Sequence, residues 1–255
     1  MESLYSRNRI FLTPDEQEII RGKRILLGGA GLGSDIAECA LRLGFEKITI
    51  IDGDKVELSN LNRQNYTRAD IGRYKAEALA DRLLSINPDA DIKYFCEYID
   101  KTNLNRLVCN CDIAINALDF KDRTPFDFDK LCRELDAHVI HPYNFGWGGM
   151  ILIVSPTGIP VSTLFRHEPD CKYELEMAEY IDGYSQFWNI PENKWLHDVI
   201  NNYTKEDSTL PIPQLSVGAW IAAALTTNAL VEISLGKQVK ECPKFYLASL
   251  MGDRN

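Results

Sequence analysis

Between Arg24 and Asp52 the chain sets out two features suited to a phosphorylated ribose. The first is the turn Gly28-Gly29-Ala30-Gly31-Leu32-Gly33, which follows the apolar run Arg24 to Leu27. A turn between a strand and a helix start presents free backbone N–H groups and the positive helix end to phosphate. Its glycines let the backbone approach the ligand closely. The second is Asp52, at the end of the next apolar run and roughly 20 residues on, where a carboxylate accepts hydrogen bonds from ribose hydroxyls. Each has a plainer explanation. Gly-rich turns also form where a strand and helix merely pack closely, and aspartate is common in strand-end turns. On these residues alone the nucleotide is either NAD or ATP.

The elements needed to hold these groups are readable around them. Ile36, Ala37, Ala40, Leu41 and Leu43 recur at helical spacing and stop at Gly44, and the β-branched run Lys47 to Ile51 reads as a strand. Strand, Gly-rich turn, helix and strand make the opening βαβ unit of a parallel sheet. The alternation continues: a helix over Lys75 to Ile86, a strand over Ile92 to Cys96, a short helix over Asn103 to Val108, and a strand over Ile113 to Ala117. A helix over Phe128 to Leu135 and strands over Val139 to His141 and Met150 to Val154 follow. Arg166 to Pro213 has little clean periodicity and many aromatic residues, so it reads as a long functional loop. A helix spans Leu215 to Leu235 with a stop at Gly236, and Lys244 to Leu250 reads as an edge strand.

The expected fold is α/β and Rossmann-like: a mostly parallel sheet with helices on both faces, plus a long crossover segment and a C-terminal helix. One domain over 1–255 contains an N-terminal arm and helix (1–22), a nucleotide-binding core (23–158), the crossover (166–213) and a C-terminal helix and strand (214–255).

Composition narrows the function classes. The 255 residues are 45% hydrophobic and 25% charged, ordinary values for a globular protein. A net charge of −9 argues against general binding to nucleic-acid backbones, which requires clustered Lys and Arg. Seven scattered cysteines do not form a disulfide framework and suit a reducing cytoplasm. Met1 to Ile10 does not read as a signal peptide, and no apolar run approaches the ~20 residues of a membrane span.

The stretch after Asp52 decides between the nucleotides. It runs Asp52-Gly53-Asp54-Lys55-Val56-Glu57-Leu58-Ser59-Asn60-Leu61-Asn62-Arg63-Gln64, followed by Gly72-Arg73-Tyr74-Lys75 and Ile86-Asn87-Pro88. In this order the motifs resemble the ThiF/MoeB/HesA family of adenylyltransferases, within the ubiquitin-activating-enzyme superfamily. The resemblance is strong from about Arg7 to Asp119, weaker to Gly158, and returns in the helix from Leu215.

That resemblance implies an ATP-dependent adenylyltransferase that joins AMP to a carboxylate and releases pyrophosphate. It places Gly31 at the phosphates, with Gly28 and Gly33 in the same turn, and Asp52 on the ribose. Asn60, Arg63 and Lys75 would contact the phosphates, with Asp54 and Gln64 in the ATP-binding set, and Asp119 would bind Mg²⁺. The chemistry agrees, because both reactants are anions and the work is charge neutralisation and alignment. Arg63 offers a planar fork of donors, Lys75 a point charge and Asp119 a hard oxygen ligand. Singly, Arg63 also fits a surface ion pair, Lys75 a solvated helix turn, and Asp119 a helix cap with Asp122 as its rival. Arg9, in preference to Arg7, matches an N-terminal arginine that reaches the phosphates of a second subunit, implying a homodimer.

The chain also departs from the family. Ala30 replaces a usual glycine, and Phe120 stands where many members carry Asn. There is no pair of Cys-x-x-Cys motifs, so no zinc is expected. Cys171, in the crossover, matches the region where some members carry an acceptor cysteine; Lys172 and His167 favour a thiolate there, Glu168, Asp170 and Glu174 oppose it, and an ordinary loop cysteine is the expectation. His138 and His141 read as strand-end residues. The acceptor implied is a small ubiquitin-like or sulfur-carrier protein, or a peptide, with a C-terminal carboxylate. A tRNA-modifying dehydratase and a non-catalytic partner subunit are the alternatives within the superfamily, and an NAD-dependent dehydrogenase is the alternative outside it.

Overall fold

A computed structural model describes residues 4–108, 110–119, 122–166, 172–190, 193–207 and 210–253. Seven strands form one sheet: β1 (Arg24–Gly28), β2 (Lys47–Ile51), β3 (Asp91–Phe95), β4 (Ile113–Asn116), β5 (His138–Asn144), β6 (Gly148–Val154) and β7 (Phe245–Ser249). Their order is β3-β2-β1-β4-β5-β6-β7. β1 to β5 run parallel, and β6 and β7 are added antiparallel, with β7 at the edge as expected. The chain leaves β1 towards β2 on one side and returns to β4 on the other. The C-terminal ends of β1 and β4 therefore flank a crevice, where ligands of open α/β sheets bind.

Strand alternation builds two cores. Ile25 and Leu27 point into a core completed by Ile48, Ile50, Ile113 and Ile115 and by residues of α2 (Gly33–Leu43), α3 (Lys75–Ile86) and α8 (Ser216–Ser234). Leu26, between them, faces the opposite side and packs with Ala114, Val139 and the Phe128 ring of α5 (Thr124–Glu134). Successive strand residues face opposite sides, so two helical layers are required. The remaining helices are α1 (Pro14–Gly22), α4 (Leu104–Leu107), α6 (Tyr173–Phe187) and α7 (Lys194–Tyr203). The first of these opens with Pro14 behind a Thr13/Glu16 capping box, which satisfies the orphan amide donors of its first turn.

Three expectations need correction. Arg166 to Pro213 is not one long loop, because it carries α6 and α7. In α6 the buried Met177, Ala178 and Ile181 recur at helical spacing, but polar and aromatic neighbours blur the stripe. His141 is not at a strand end. β5 runs on through Pro142 to Asn144, leaving His141 fully buried at mid-strand, whereas His138 does open the strand. Finally, α8 is 19 residues long and apolar enough to cross a membrane by length and composition alone. Here it packs on β5, β6 and α2.

Candidate functional site

A cavity of about 1070 Å³ opens at the C-terminal ends of β1, β2 and β4. Its wall includes Gly29, Gly31, Asp52, Asp54, Asn60, Arg63, Gln64, Lys75 and Asp119, residues spread over ninety positions of sequence. Gly28 and Gly33 stand outside the described lining and serve packing. The first ends β1 against the Phe128 ring, and the second sits on Leu27.

Gly29 shapes the turn. Its φ is +91°, and a Cβ there would lie 2.2 Å from the Ala117 carbonyl oxygen at the end of β4. Gly31 leaves room over the turn, where a Cβ would meet the Gln64 amide nitrogen at 3.1 Å. Ala30 points away from the crevice into the core and is fully buried, so its methyl does not narrow the approach. The Tyr66 hydroxyl donates to the Ala30 carbonyl at 2.7 Å and to the Lys75 carbonyl at 3.2 Å, fastening the turn to the start of α3.

The acids of the cavity are held by specific donors. Asp52 accepts from the Ala30 amide at 2.6 Å and the Asp54 amide at 2.7 Å. Burial raises its pKa, and the Ala30 hydrogen bond opposes that rise. Asp54 pairs with the Lys75 ammonium at 2.9 Å and accepts the Tyr98 hydroxyl at 2.7 Å. That bond pushes the Tyr98 hydroxyl up to about 12, keeping it a donor. Lys75 is the first residue of α3 and is itself buried, so its charge sits at the mouth of a helix N-terminus.

The 3₁₀ turn Leu58–Asn62 aims Arg63. The Asn60 carboxamide oxygen accepts from the Glu57 amide at 2.9 Å, closing this turn. The Arg63 Nε donates to the Gln214 side chain, and Nη1 donates to the Ser59 carbonyl at 3.1 Å and to Asn62 at 2.8 Å. Burial lowers the guanidinium's pKa and Asp119, which also lines the cavity, opposes this. Asp122, the rival of Asp119, also lines the cavity and accepts from the Thr124 amide at 2.7 Å beside the start of α5.

Asp119 follows a loop with buried support. Asn116 donates to the Pro125 carbonyl at 2.8 Å and to Asp129 at 2.7 Å, and accepts from the Leu118 amide at 3.4 Å. Asp129 lies 2.9 Å from His141, both buried. This chain, Asn116–Asp129–His141, was not legible in the sequence because its members come from β4, α5 and β5. Tyr66, Tyr98 and Gln214 were missed for the same reason.

Magnesium fits the donor set. Among the described residues no group of three or more His, Cys, Asp or Glu side chains converges on one point. Mg²⁺ bound with a nucleotide needs only one or two carboxylates beside phosphate oxygens and water, which Asp119 can supply. Arg9 does not reach the cavity. It is exposed and donates to the Ser6 carbonyl at 3.1 Å. Cys171 and Phe120 lie outside the described residues.

Sheet order and crevice together define a Rossmann-like α/β protein. The ThiF family model matches residues 5–252, and the chain belongs to that family. It is similar to the SAMP-activating enzyme E1 of Haloferax volcanii, 27% identical over 170 residues, 65% of this chain and 63% of the relative. It is also similar to the sulfur carrier protein ThiS adenylyltransferase of Escherichia coli, 27% identical over 142 residues, 55% and 56% of the two chains. The chain thus spans less than two thirds of these curated relatives. A crystal structure of E. coli MccB with ATP superposes with a TM-score of 0.67 at 16% identity, covering 98% of this chain and 72% of that one. At that identity the likeness is one of fold.

Proposed function

We propose that this protein activates a carboxylate with ATP, forming an acyl-adenylate and releasing pyrophosphate. The observation that carries the reading is that Gly31, Asp52, Arg63, Lys75 and Asp119 share one cavity at the ends of adjacent parallel strands. Relatives named as adenylyltransferases and activating enzymes support it.

In this reading the triphosphate lies along the Gly29–Gly31 turn at the start of α2. A ribose hydroxyl donates to Asp52, whose acceptor capacity its two amide donors leave unfilled. Lys75 shares its charge between Asp54 and the phosphates, and the free guanidinium edge of Arg63 faces them. A carboxylate oxygen attacks the α-phosphorus, a new P–O bond forms, and the bond to pyrophosphate breaks. Two anions must meet, so fixed cations supply most of the stabilisation. Bound through Asp119, Mg²⁺ would neutralise charge on the phosphate oxygens. The reading includes a homodimer in which Arg9 acts on the partner's phosphates, and a carrier protein or peptide as acceptor, in the cytoplasm.

ATP–pyrophosphate exchange with candidate carriers and peptides tests the proposal. Asp119→Ala should lower exchange by about 10²–10³-fold, and Cys171→Ala should leave it intact. ATP with Mg²⁺ should raise the melting temperature and NAD should not. Stabilisation by NAD alone would overturn the reading.

A further inference from the structure

The cavity holds more than the nucleotide site requires. At about 1070 Å³ it lies just above the range for pockets that bury one drug-sized ligand, about 300–1,000 Å³. Its cations, Lys55, Arg63 and Lys75, all belong to the stretch from β2 to α3. The wall supplied by the crossover has a different chemistry. Leu175 and Ala178 of α6, Leu196, Val199 and Ile200 of α7, and Ile212 line it. On α7 the lining residues Leu196, Val199, Ile200 and Tyr203 keep the i, i+3, i+4, i+7 spacing, so one whole apolar helix face is turned to the void. Leu175, Val199, Ile200 and Ile212 are only half-buried. Among the described residues this wall contributes no cation, and Glu174 is its one charged member.

A polyphosphate does not settle against an apolar wall carrying a carboxylate. In the adenylation reading Asp52 at the end of β2 holds the ribose, so the base turns towards β3, where Ile51, Tyr98 and Ile99 line the cavity; the nucleotide keeps to that side, and the α6–α7 chamber is left for the other reactant. That reactant must bring its carboxylate to the phosphates beside Arg63, with the group attached next to the carboxylate lying against α6 and α7. Resting on the adenylation reading above, we infer that the substrate carboxylate bears a bulky apolar side chain on its neighbouring carbon, and that the α6–α7 chamber selects for it. The chemical class is a chain terminus or small acid of the leucine, isoleucine, methionine or phenylalanine type. A terminus ending in glycine leaves the chamber uncovered.

Discrimination of this kind by an apolar pocket is worth about 10–200-fold in kcat/KM. The test is ATP–pyrophosphate exchange with peptide pools randomised upstream and fixed at the last residue as Leu, Phe, Ala or Gly, beside free leucine and phenylalanine. Leu- or Phe-ended pools should exceed the Gly-ended pool at least about 10-fold, with Ala between. Exchange by free leucine as well assigns a small acid, and exchange by peptides alone assigns a chain terminus. Both outcomes support the apolar requirement. Equal or faster exchange with the Gly-ended pool overturns the inference and leaves the adenylation reading standing. Absence of exchange with every pool and acid overturns that reading and the inference with it. Ile200→Trp fills the chamber, and the milder Val199→Thr puts a hydroxyl into it. Each should shrink the Leu-to-Gly ratio, and an unchanged ratio in both variants counts against the chamber.

Discussion

The two walls of the cavity are built on opposite rules. On the nucleotide side nearly every functional atom is already engaged: Asp52 by two amides, Asp54 by Lys75 and Tyr98, Arg63 by Gln214, Ser59 and Asn62. On the crossover side the lining is side-chain hydrocarbon set by the pitch of α7, with Tyr203 held at its end by Lys172 at 2.7 Å. The difference follows from what each wall recognises. Phosphate and ribose demand donors and acceptors fixed in direction, because a misaimed hydrogen bond loses its strength. An apolar group demands only volume and exclusion of water. Substitutions on the nucleotide side should therefore cost far more than equivalent ones on the crossover side.

The largest effect is expected at the charges. Asp119→Ala and Lys75→Met should each lower exchange by about 10²–10³-fold, the usual scale for losing one fixed electrostatic contact. Single-turnover measurement at saturating ATP separates this loss from weaker nucleotide binding. Activity retained within a few-fold would show that the engaged side is scaffolding.

Backbone strain comes next. Gly29→Ala must hold an alanine at φ +91° and fit a methyl 2.2 Å from the Ala117 oxygen. Strain and overlap together should cost at least about 4 kcal/mol, read as a shift of the denaturation midpoint. A fully stable variant would mean that the turn has a second conformation.

Asp35 sharpens the comparison through pH. It sits in the first turn of α2, 1% exposed, and neither carboxylate oxygen has a hydrogen-bond partner. Burial, with Glu38 nearby, raises its pKa to about 7. An acid whose pKa is raised by folding favours the folded state while protonated. Its contribution is fully present below the unfolded value of about 4 and is lost as pH rises through about 7. Asp35→Asn should therefore stabilise the protein at pH 8, by an order of a few kcal/mol, and change little at pH 4. Equal effects at both pH values would assign Asp35 an ordinary pKa.

How much of each wall was legible follows the same division. The nucleotide side is written in contiguous motifs: the turn at 28–33, the string from Asp52 to Gln64, and Lys75 at the head of its helix. Directional recognition needs local backbone geometry, which leaves glycines and caps at fixed offsets, so both the fold and the charged part of the nucleotide side were readable. The supports were not. Asn116, Asp129 and His141 meet only once β4, α5 and β5 are assembled, and Gln214 reaches Arg63 across 151 positions. The crossover helices were hidden for another reason. On α6 the buried Met177, Ala178 and Ile181 are interleaved with Tyr180 and Tyr184, whose rings pack on Phe245, so no single stripe marks that helix; α7 does keep one apolar face, but over only ten residues.

Gly183 supplies the smallest and most direct test of the contrast. It lies inside α6, and a Cβ there meets nothing within 4 Å. The glycine of the turn is required by its backbone angle and by the strand end against it, whereas this one carries only the entropic penalty of glycine in a helix. Gly183→Ala should stabilise the protein by about 0.5–1 kcal/mol. Exchange at saturating substrate should stay unaltered, because the substitution adds one methyl to an open face. A loss of stability would mean that this face of α6 is covered in solution, and the tolerant wall would then be an interface as well as a chamber.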